Sequence, residues 1–290
     1  MKILGNTIRS LIQSAVNSDI SGIDAYYLMS YLTKKSKEEI LTNINENVSI
    51  FKVLKWNRLL RKRKKGIPAN YLTGSKEFYS LEFKVNYSVL IPRPETELIV
   101  DEVLKLKPDS VLDVGTGSGN IAISVKYYLP ICRVTAVDIS RPALKVAKYN
   151  CKNLLGKKKI MFRKSNFCDN IEGYYDVIVS NPPYIPDRTL TGLQKEVSVY
   201  EPRIALSGGK DGLDAYKRIF NSCVKCLNKN GTLILEISNE VLKGVKSLAR
   251  LYGWVLTKVV KDYSNQPRIG IFKLKTDTKK ELNSSGIVKK

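Results

Sequence analysis

The 290 residues contain no histidine. That zero removes Ser-His-Asp triads, Cys-His dyads, HExxH zinc sites and any imidazole acid–base step. Whatever chemistry the chain performs must use carboxylates, amides, hydroxyls, lysines or backbone groups. No stretch reaches the roughly 18 apolar residues of a membrane span. The opening run MKILGNTIRSLIQSAVN alternates polar and apolar residues. It lacks the continuous apolar stretch and small-residue cleavage site of a secretion signal. Cysteines are few and odd in number: Cys132, Cys151, Cys168, Cys223 and Cys226. A cytoplasmic chain without disulfides or membrane contact is the expectation. Cys223 and Cys226 have metal-ligand spacing, but zinc wants four ligands, and no second pair or histidine completes the set. No metal is expected, and two buried helix cysteines are the plainer reading.

Acids are scarce beside bases, 27 Asp+Glu against 49 Lys+Arg, for a net charge of +22. Hydrophobic residues make up 43%, enough for a real core, so wholesale disorder is excluded. At about 150 residues per domain the length suggests two domains. The excess charge is concentrated: residues 52–65 (KVLKWNRLLRKRKK) hold eight basic side chains and no acid. Such a stripe favours an anionic partner, an acidic protein surface or RNA. Solvated helix faces account for it equally well.

Residues 1–75 read as a helical domain. Leu4, Ile8, Leu11, Ile12 and Ala15 recur at helical spacing, as do Ile23, Tyr26, Tyr27 and the run 29–32. Ser36 before Glu38 and Glu39 reads as an N-cap with an acidic first turn. A fourth helical pattern over 48–65 stops at Gly66 and Pro68. Residues 76–94 read as a β-hairpin linker, its alternating pattern over 76–91 punctuated by Pro92 and Pro94. From 95 to 275 helices and strands alternate: a helix over 95–106, a strand over 111–114, a helix over 121–129 and a strand ending at Asp138. Further helices are predicted over 142–154, over 213–227, ended at Gly231, and over 241–251, with a strand over 232–237. Alternation of this kind predicts an α/β fold, a parallel sheet with helices on both faces. The polar residues 276–290 are expected to be a disordered tail.

Two motifs carry chemistry. In VLDVGTGSGN, residues 111–120, an apolar strand runs into Gly115, Thr116, Gly117, Ser118 and Gly119, and a helix follows. Glycines allow a tight turn and close backbone approach to a ligand. Asp138, 19 residues after Gly119, ends the next strand, where a carboxylate can accept both hydroxyls of a ribose. The spacing is not G-x-G-x-x-G, since Asn120 stands where the last glycine would fall. Asp113 ahead of the loop suits a cofactor with a cationic amino-acid end, such as S-adenosylmethionine, better than a pyrophosphate. A simple tight turn and a dinucleotide site remain alternatives.

The second motif is YDVIVSNPPYIP, in which a strand delivers Asn181, Pro182, Pro183 and Tyr184 at its C-terminal end. A planar NH2 nitrogen is a poor nucleophile because its lone pair is delocalised. The Asn181 side-chain oxygen and the Pro182 carbonyl are two acceptors that could hold its two N–H groups, orient the lone pair and stabilise developing charge. Tyr184 offers a flat face. A rigid loop is the bland alternative.

With these motifs in place the chain resembles the HemK/PrmC family of protein-(glutamine-N5) methyltransferases, which act on peptide chain release factors. The resemblance extends over residues 68–74 (PANYLTG), 91–97 (IPRPETE), the glycine loop, SNPPYIP, residues 201–216 (EPRIALSGGKDGLDAY) and Asp262 with Arg268. It implies a Rossmann-like class I methyltransferase domain with a seven-stranded sheet, joined by a β-hairpin to a small helical bundle that recognises substrate. It implies S-adenosyl-L-methionine held by residues 115–119, Asp138, Asn181 and an aromatic over adenine, here Phe167. The substrate implied is the glutamine of a Gly-Gly-Gln tripeptide, gripped by Asn181, Pro182, Pro183 and Tyr184. Arg93, Glu95, Thr96 and Glu97 read either as a capped helix start or as a lid. Two departures stand out: Asn166 where many relatives carry an acid, and Ser238 after Glu236 and Ile237 where they carry glycine. Competing readings are an adenine-N6 DNA or RNA methyltransferase, a glutamine methyltransferase of a ribosomal protein, and an RNA- or ribosome-binding protein with a relict cofactor pocket. The net charge favours the nucleic-acid readings, whereas IPRPETE and the absence of a base-recognition insert oppose them.

Overall fold

A computed structural model describes residues 6–275. They form two compact units: residues up to Ser75 together with Gln194–Tyr200, and Lys76–Leu193 with the chain from Glu201. The expected tail at 276–290 lies outside the described residues.

The first unit contains α1 (Ile8–Val16), α2 (Gly22–Thr33), α3 (Lys37–Thr42), α4 (Ile50–Lys64) and the short α5 (Ala69–Thr73). Ser36 caps α3 as its sequence suggests. Its hydroxyl accepts the Glu39 N–H, and Glu39 reaches back to the Ser36 N–H, satisfying two donors that a helix start leaves orphaned. Ile8, Ile12, Leu28, Met29, Ile40 and Trp56 meet in the core. Burying an apolar side chain of this size contributes roughly 1.5–3 kcal/mol. Helix α4 buries Val53, Trp56 and Leu59 at a spacing of three, which leaves Arg58, Arg61, Lys62 and Lys65 exposed. Arg63 departs from that pattern. Its guanidinium pairs with Asp24 at 2.8 Å and with Glu196.

The second unit opens with a hairpin, β1 (Ser75–Phe78) and β2 (Leu81–Lys84), shorter than the sequence pattern suggested. Phe78, Leu81 and Phe83 bury in this unit's core rather than merely linking. Then follow α6 (Glu97–Leu106), β3 (Ser110–Val114), α7 (Asn120–Tyr128), β4 (Arg133–Asp138), α8 (Arg141–Leu155), β5 (Met161–Lys164) and β6 (Tyr175–Ser180). The short α9 (Asp187–Leu190) follows, then α10 (Lys195–Tyr200), which belongs to the first unit, and the second unit resumes with α11 (Asp214–Ser222), β7 (Leu227–Glu236), α12 (Asn239–Leu251), β8 (Trp254–Lys261) and β9 (Pro267–Leu274). The sheet has seven strands in the order β5-β4-β3-β6-β7-β9-β8, all neighbours parallel except the pairs made by β9.

Side chains alternate across the sheet. Val111 and Val177 pack with α6, α7 and α8, while Leu112, Val114 and Ile178 pack with α11 and α12. Both faces are covered, so the central strands read as unbroken apolar runs rather than as alternation. One boundary differs from the sequence reading. Helix α11 ends at Ser222, a 3-10 turn spans Cys223–Cys226, and β7 begins at Leu227. Gly231 therefore lies inside a strand. The register against β6 jumps from Tyr175↔Leu227 to Val177↔Thr232, and the intervening bulge is tied down by Asn228, whose amide donates to Asp176.

Candidate active site

Strand order reverses at β3, which lies between β4 and β6, and ligands of open α/β sheets sit in the crevice beyond such a point. A cavity of about 600 Å³ opens there, a volume typical of small-molecule sites. Gly115, Thr116, Gly117 and Ser118 line it, as do Asp138, Phe167, Asn181, Pro182 and Pro183.

The glycine loop turns tightly because Gly115 and Thr116 both donate their N–H to the Val137 carbonyl at 2.9 Å. Gly115 and Gly117 have φ of +75° and +55°, and a Cβ on either would meet nothing within 4 Å. The loop thus presents bare backbone to open space. Gly119 serves a different end. It lies off the cavity wall, and a Cβ there would sit 2.8 Å from Ile123 Cδ1 and 3.2 Å from the Ala147 side chain, so its absence lets α7 pack against α8.

Asp138 accepts the Gly117 N–H at 2.9 Å and the Ser140 N–H at 2.8 Å. The Ile139 N–H also favours its charged form, and of a carboxylate's roughly four lone-pair sites part is left for a ligand. Burial raises its pKa above the ordinary carboxylate value. Asp113 does something other than its sequence position suggested. Fully buried and off the cavity wall, its Oδ2 accepts the Thr116 hydroxyl at 2.6 Å and the Ala122 N–H at 3.2 Å, bracing loop to helix. Burial pushes this carboxyl up to about 7, and its Oδ1 lacks a hydrogen-bond partner. Phe167 reaches the cavity through a left-handed backbone turn, with φ of +52°, that re-aims the chain just after β5.

Asn181 follows the last residue of β6. Ser180 pairs with Leu235 of β7 and anchors its hydroxyl on the Val114 carbonyl at 2.7 Å, holding the ends of three strands together. The Asn181 amide donates from Nδ2 to the Thr96 hydroxyl at 3.1 Å, and Thr96 donates to Glu236 Oε2 at 2.6 Å. Tyr184 is not part of the cavity wall. Its ring packs on the α11–α12 side of the sheet and its hydroxyl donates to Glu236 Oε1 at 3.5 Å. Burial pushes Glu236 up to about 7 and raises the Tyr184 phenol as well.

The stretch IPRPETE divides its work by residue. Arg93 and Thr96 line the cavity, and Arg93 is ion-paired with the buried Glu201. Glu97 accepts the Tyr79 N–H at 2.8 Å and so fixes the hairpin turn. Sequence reading missed Glu236 as a site residue. Its signals were an acid ending the buried apolar strand LILE at the sheet's C-terminal edge and its place before Ile237 in a stretch shared with the family. All five cysteines are free and buried. Among the described residues no group of three or more His, Cys, Asp or Glu is placed to hold a metal, and no helix is long and apolar enough to cross a membrane.

Comparison with known proteins fits this geometry. Residues 93–262 match the family described as Methyltransferase small domain, and residues 6–74 that described as PrmC N-terminal domain. The release factor glutamine methyltransferase of Moorella thermoacetica is 38% identical, over 91% of this chain and 95% of its own length. That of Caulobacter vibrioides is 35% identical, over 87% and 89%. A methyltransferase structure from Pyrococcus furiosus shares the fold at 19% identity and a TM-score of 0.51, covering 76% of this chain and 97% of its own. On these matches, which extend through both units, the chain belongs to the release factor glutamine methyltransferase family.

Proposed function

We propose that this chain transfers a methyl group from S-adenosyl-L-methionine to the side-chain nitrogen (N5) of the glutamine in the Gly-Gly-Gln motif of peptide chain release factors. The observation that carries the reading is the meeting, at one cavity, of a bare-backbone glycine loop, a ribose-competent Asp138 and the Asn181–Pro182 acceptors. The residues fit the cofactor: the loop at Gly115 and Gly117 leaves room that side chains would fill, and Asp138 keeps lone pairs free. Residues 115–118, Asp138, Phe167 and Asn181 would hold it. When bound, S-adenosylmethionine supplies an electrophilic methyl carbon on a sulfonium.

The chain's own residues then handle the nucleophile. Asn181 Oδ1 and the Pro182 carbonyl accept the two N–H groups of the substrate amide and turn its lone pair toward the cofactor end of the cavity. Fixed dipoles there stabilise the positive charge that develops on nitrogen, and need no reorganisation during the step. Pro182 and Pro183 contribute no N–H donors that would oppose the amide protons. An N-alkylated amide nitrogen is strongly acidic and releases its proton without a dedicated base, which suits a site with no histidine. Tyr184 supports this wall from behind through Glu236.

The helical first unit is assigned to the body of the protein substrate, with the exposed cations of α4 meeting acidic surface on it. Free, buried cysteines and a substrate that works in translation support a cytoplasmic reaction. The names of the curated relatives support release factors over ribosomal proteins. The test is to incubate the pure chain with labelled cofactor and a release factor. Label should appear on the Gly-Gly-Gln peptide and vanish when its glutamine is replaced. Label elsewhere, or none, refutes the reading.

A further inference from the structure

Asn181 can act as an acceptor only if its carboxamide presents oxygen, not NH2, to the substrate. A primary amide has nearly the same shape either way round, so something must choose. We propose that Thr96 and Glu236 are positioning residues that set which end of the Asn181 amide faces the substrate, the ionised Glu236 carboxylate fixing the direction of the relay. This rests on the methyltransferase reading above.

The argument starts from proton counting. A threonine hydroxyl has one proton to give. Thr96 is 1% exposed and lies 2.6 Å from Glu236 Oε2 and 3.1 Å from Asn181 Nδ2. An ionised carboxylate accepts only, so the Thr96 proton goes to Glu236. The hydroxyl oxygen is then left as an acceptor, and Asn181 must offer it Nδ2. Oδ1 consequently points away from Thr96, free for the substrate N–H. Were Glu236 protonated, every bond could reverse. Glu236 would donate to Thr96, Thr96 would donate to Asn181 Oδ1, and NH2 would oppose the substrate's own N–H groups. Two like donors face to face lose the bond and leave a desolvated polar group.

The surroundings of Glu236 hold both states within reach. Burial above all, with Glu95, opposes the charged form, whereas the Thr96 hydroxyl, Arg268 and the Tyr184 hydroxyl favour it, and the Tyr216 hydroxyl is committed to the Glu236 backbone carbonyl at 2.8 Å. The balance pushes the carboxyl up to about 7. Acid should therefore turn the amide the wrong way as the pH falls through about 7.

The test compares wild type with Thr96→Ser, Thr96→Val and Glu236→Gln. It measures steady-state kinetics on a release factor between about pH 6 and 9, with calorimetric cofactor affinity alongside. Thr96→Val should lower kcat about 10- to 100-fold with cofactor Kd nearly unchanged, and Thr96→Ser should restore kcat to within about threefold. Wild-type kcat should fall on acidification through about 7. Glu236→Gln, which does not titrate and whose own amide can turn either end to Thr96, should lose that acid limb. Equal kcat for Thr96→Val and wild type, or superimposable acid limbs for wild type and Glu236→Gln, would overturn the relay while leaving the methyltransferase assignment intact. A wild type that binds cofactor yet never methylates the release factor removes the assignment and the relay together. If Thr96→Val fails to fold, Thr96→Ser and the two pH profiles still decide.

Discussion

Replacing Asp138 by alanine separates two duties of one carboxylate. It accepts the N–H groups of Gly117 and Ser140, which hold the glycine loop against the end of β4, and it offers its remaining lone pairs to the cavity. Losing hydrogen bonds from a charged group to ribose hydroxyls costs about 1.5–3 kcal/mol. That is about 10- to 150-fold in Kd for S-adenosylhomocysteine, the unreactive product, measured by calorimetry. The loop contribution appears separately. Gly117 and Ser140 lie at a partly open site where water can replace the carboxylate, so the loss of folding stability should stay near 1 kcal/mol, about 2–4 °C in melting temperature for a unit of this size. A ligand lacking both ribose hydroxyls isolates the direct contact. Wild type should lose affinity for it by the full factor, whereas Asp138→Ala should lose almost nothing more. If both proteins lose the same factor, Asp138 does not hold the ribose, and only its loop-bracing duty survives.

Three further expectations follow from the same geometry. Asn181→Ala should slow methyl transfer about 10²- to 10³-fold while cofactor Kd stays within a few-fold, and unchanged turnover on a release factor would remove Asn181 from the mechanism. Asp113 is pushed up to about 7 from 3.8, so between those values the native state keeps a proton that the unfolded chain has released. Stability should therefore fall as pH rises through that window and level off above it, and Asp113→Asn should flatten the slope; parallel pH profiles of melting temperature would contradict this. Changing Arg58, Arg61 and Lys62 to glutamine should raise KM for the protein substrate and flatten its salt dependence, with activity on a short Gly-Gly-Gln peptide as reference. Equal losses on protein and peptide would assign those cations to the fold instead.

What could be read from sequence was what lies close in sequence. The glycine loop and Asp138 belong to one strand–helix–strand unit, so their order and spacing alone place them at one sheet edge. Asn181 was legible because an apolar strand points it out, and β6 does pair beside β3. The relay was not legible. Thr96 stands 85 positions from Asn181 and 140 from Glu236, and only the β6–β7 register brings the last two side by side. Asp113 favoured the right cofactor without facing it: an acid before a glycine loop looks the same in sequence whether it faces a ligand or, as here, the Ala122 N–H. Gly231 looked like a helix stop because a bulge within a strand has no periodicity to betray it.

The pairing of Arg63 with Glu196 also bears on how the protein is made. The helical unit draws one of its pieces, Gln194–Tyr200, from 133 residues downstream of that arginine. At roughly 5–20 residues per second, the ribosome needs about 7–27 s to supply it after Arg63 has been added. During that interval the first five helices must persist with Arg63 held by Asp24 alone. The helical unit, though it leads the chain, is thus completed only after β6 has been synthesised, and a nascent chain stalled before Gln194 should be cleaved by protease near the end of α4 more readily than one stalled after Glu201.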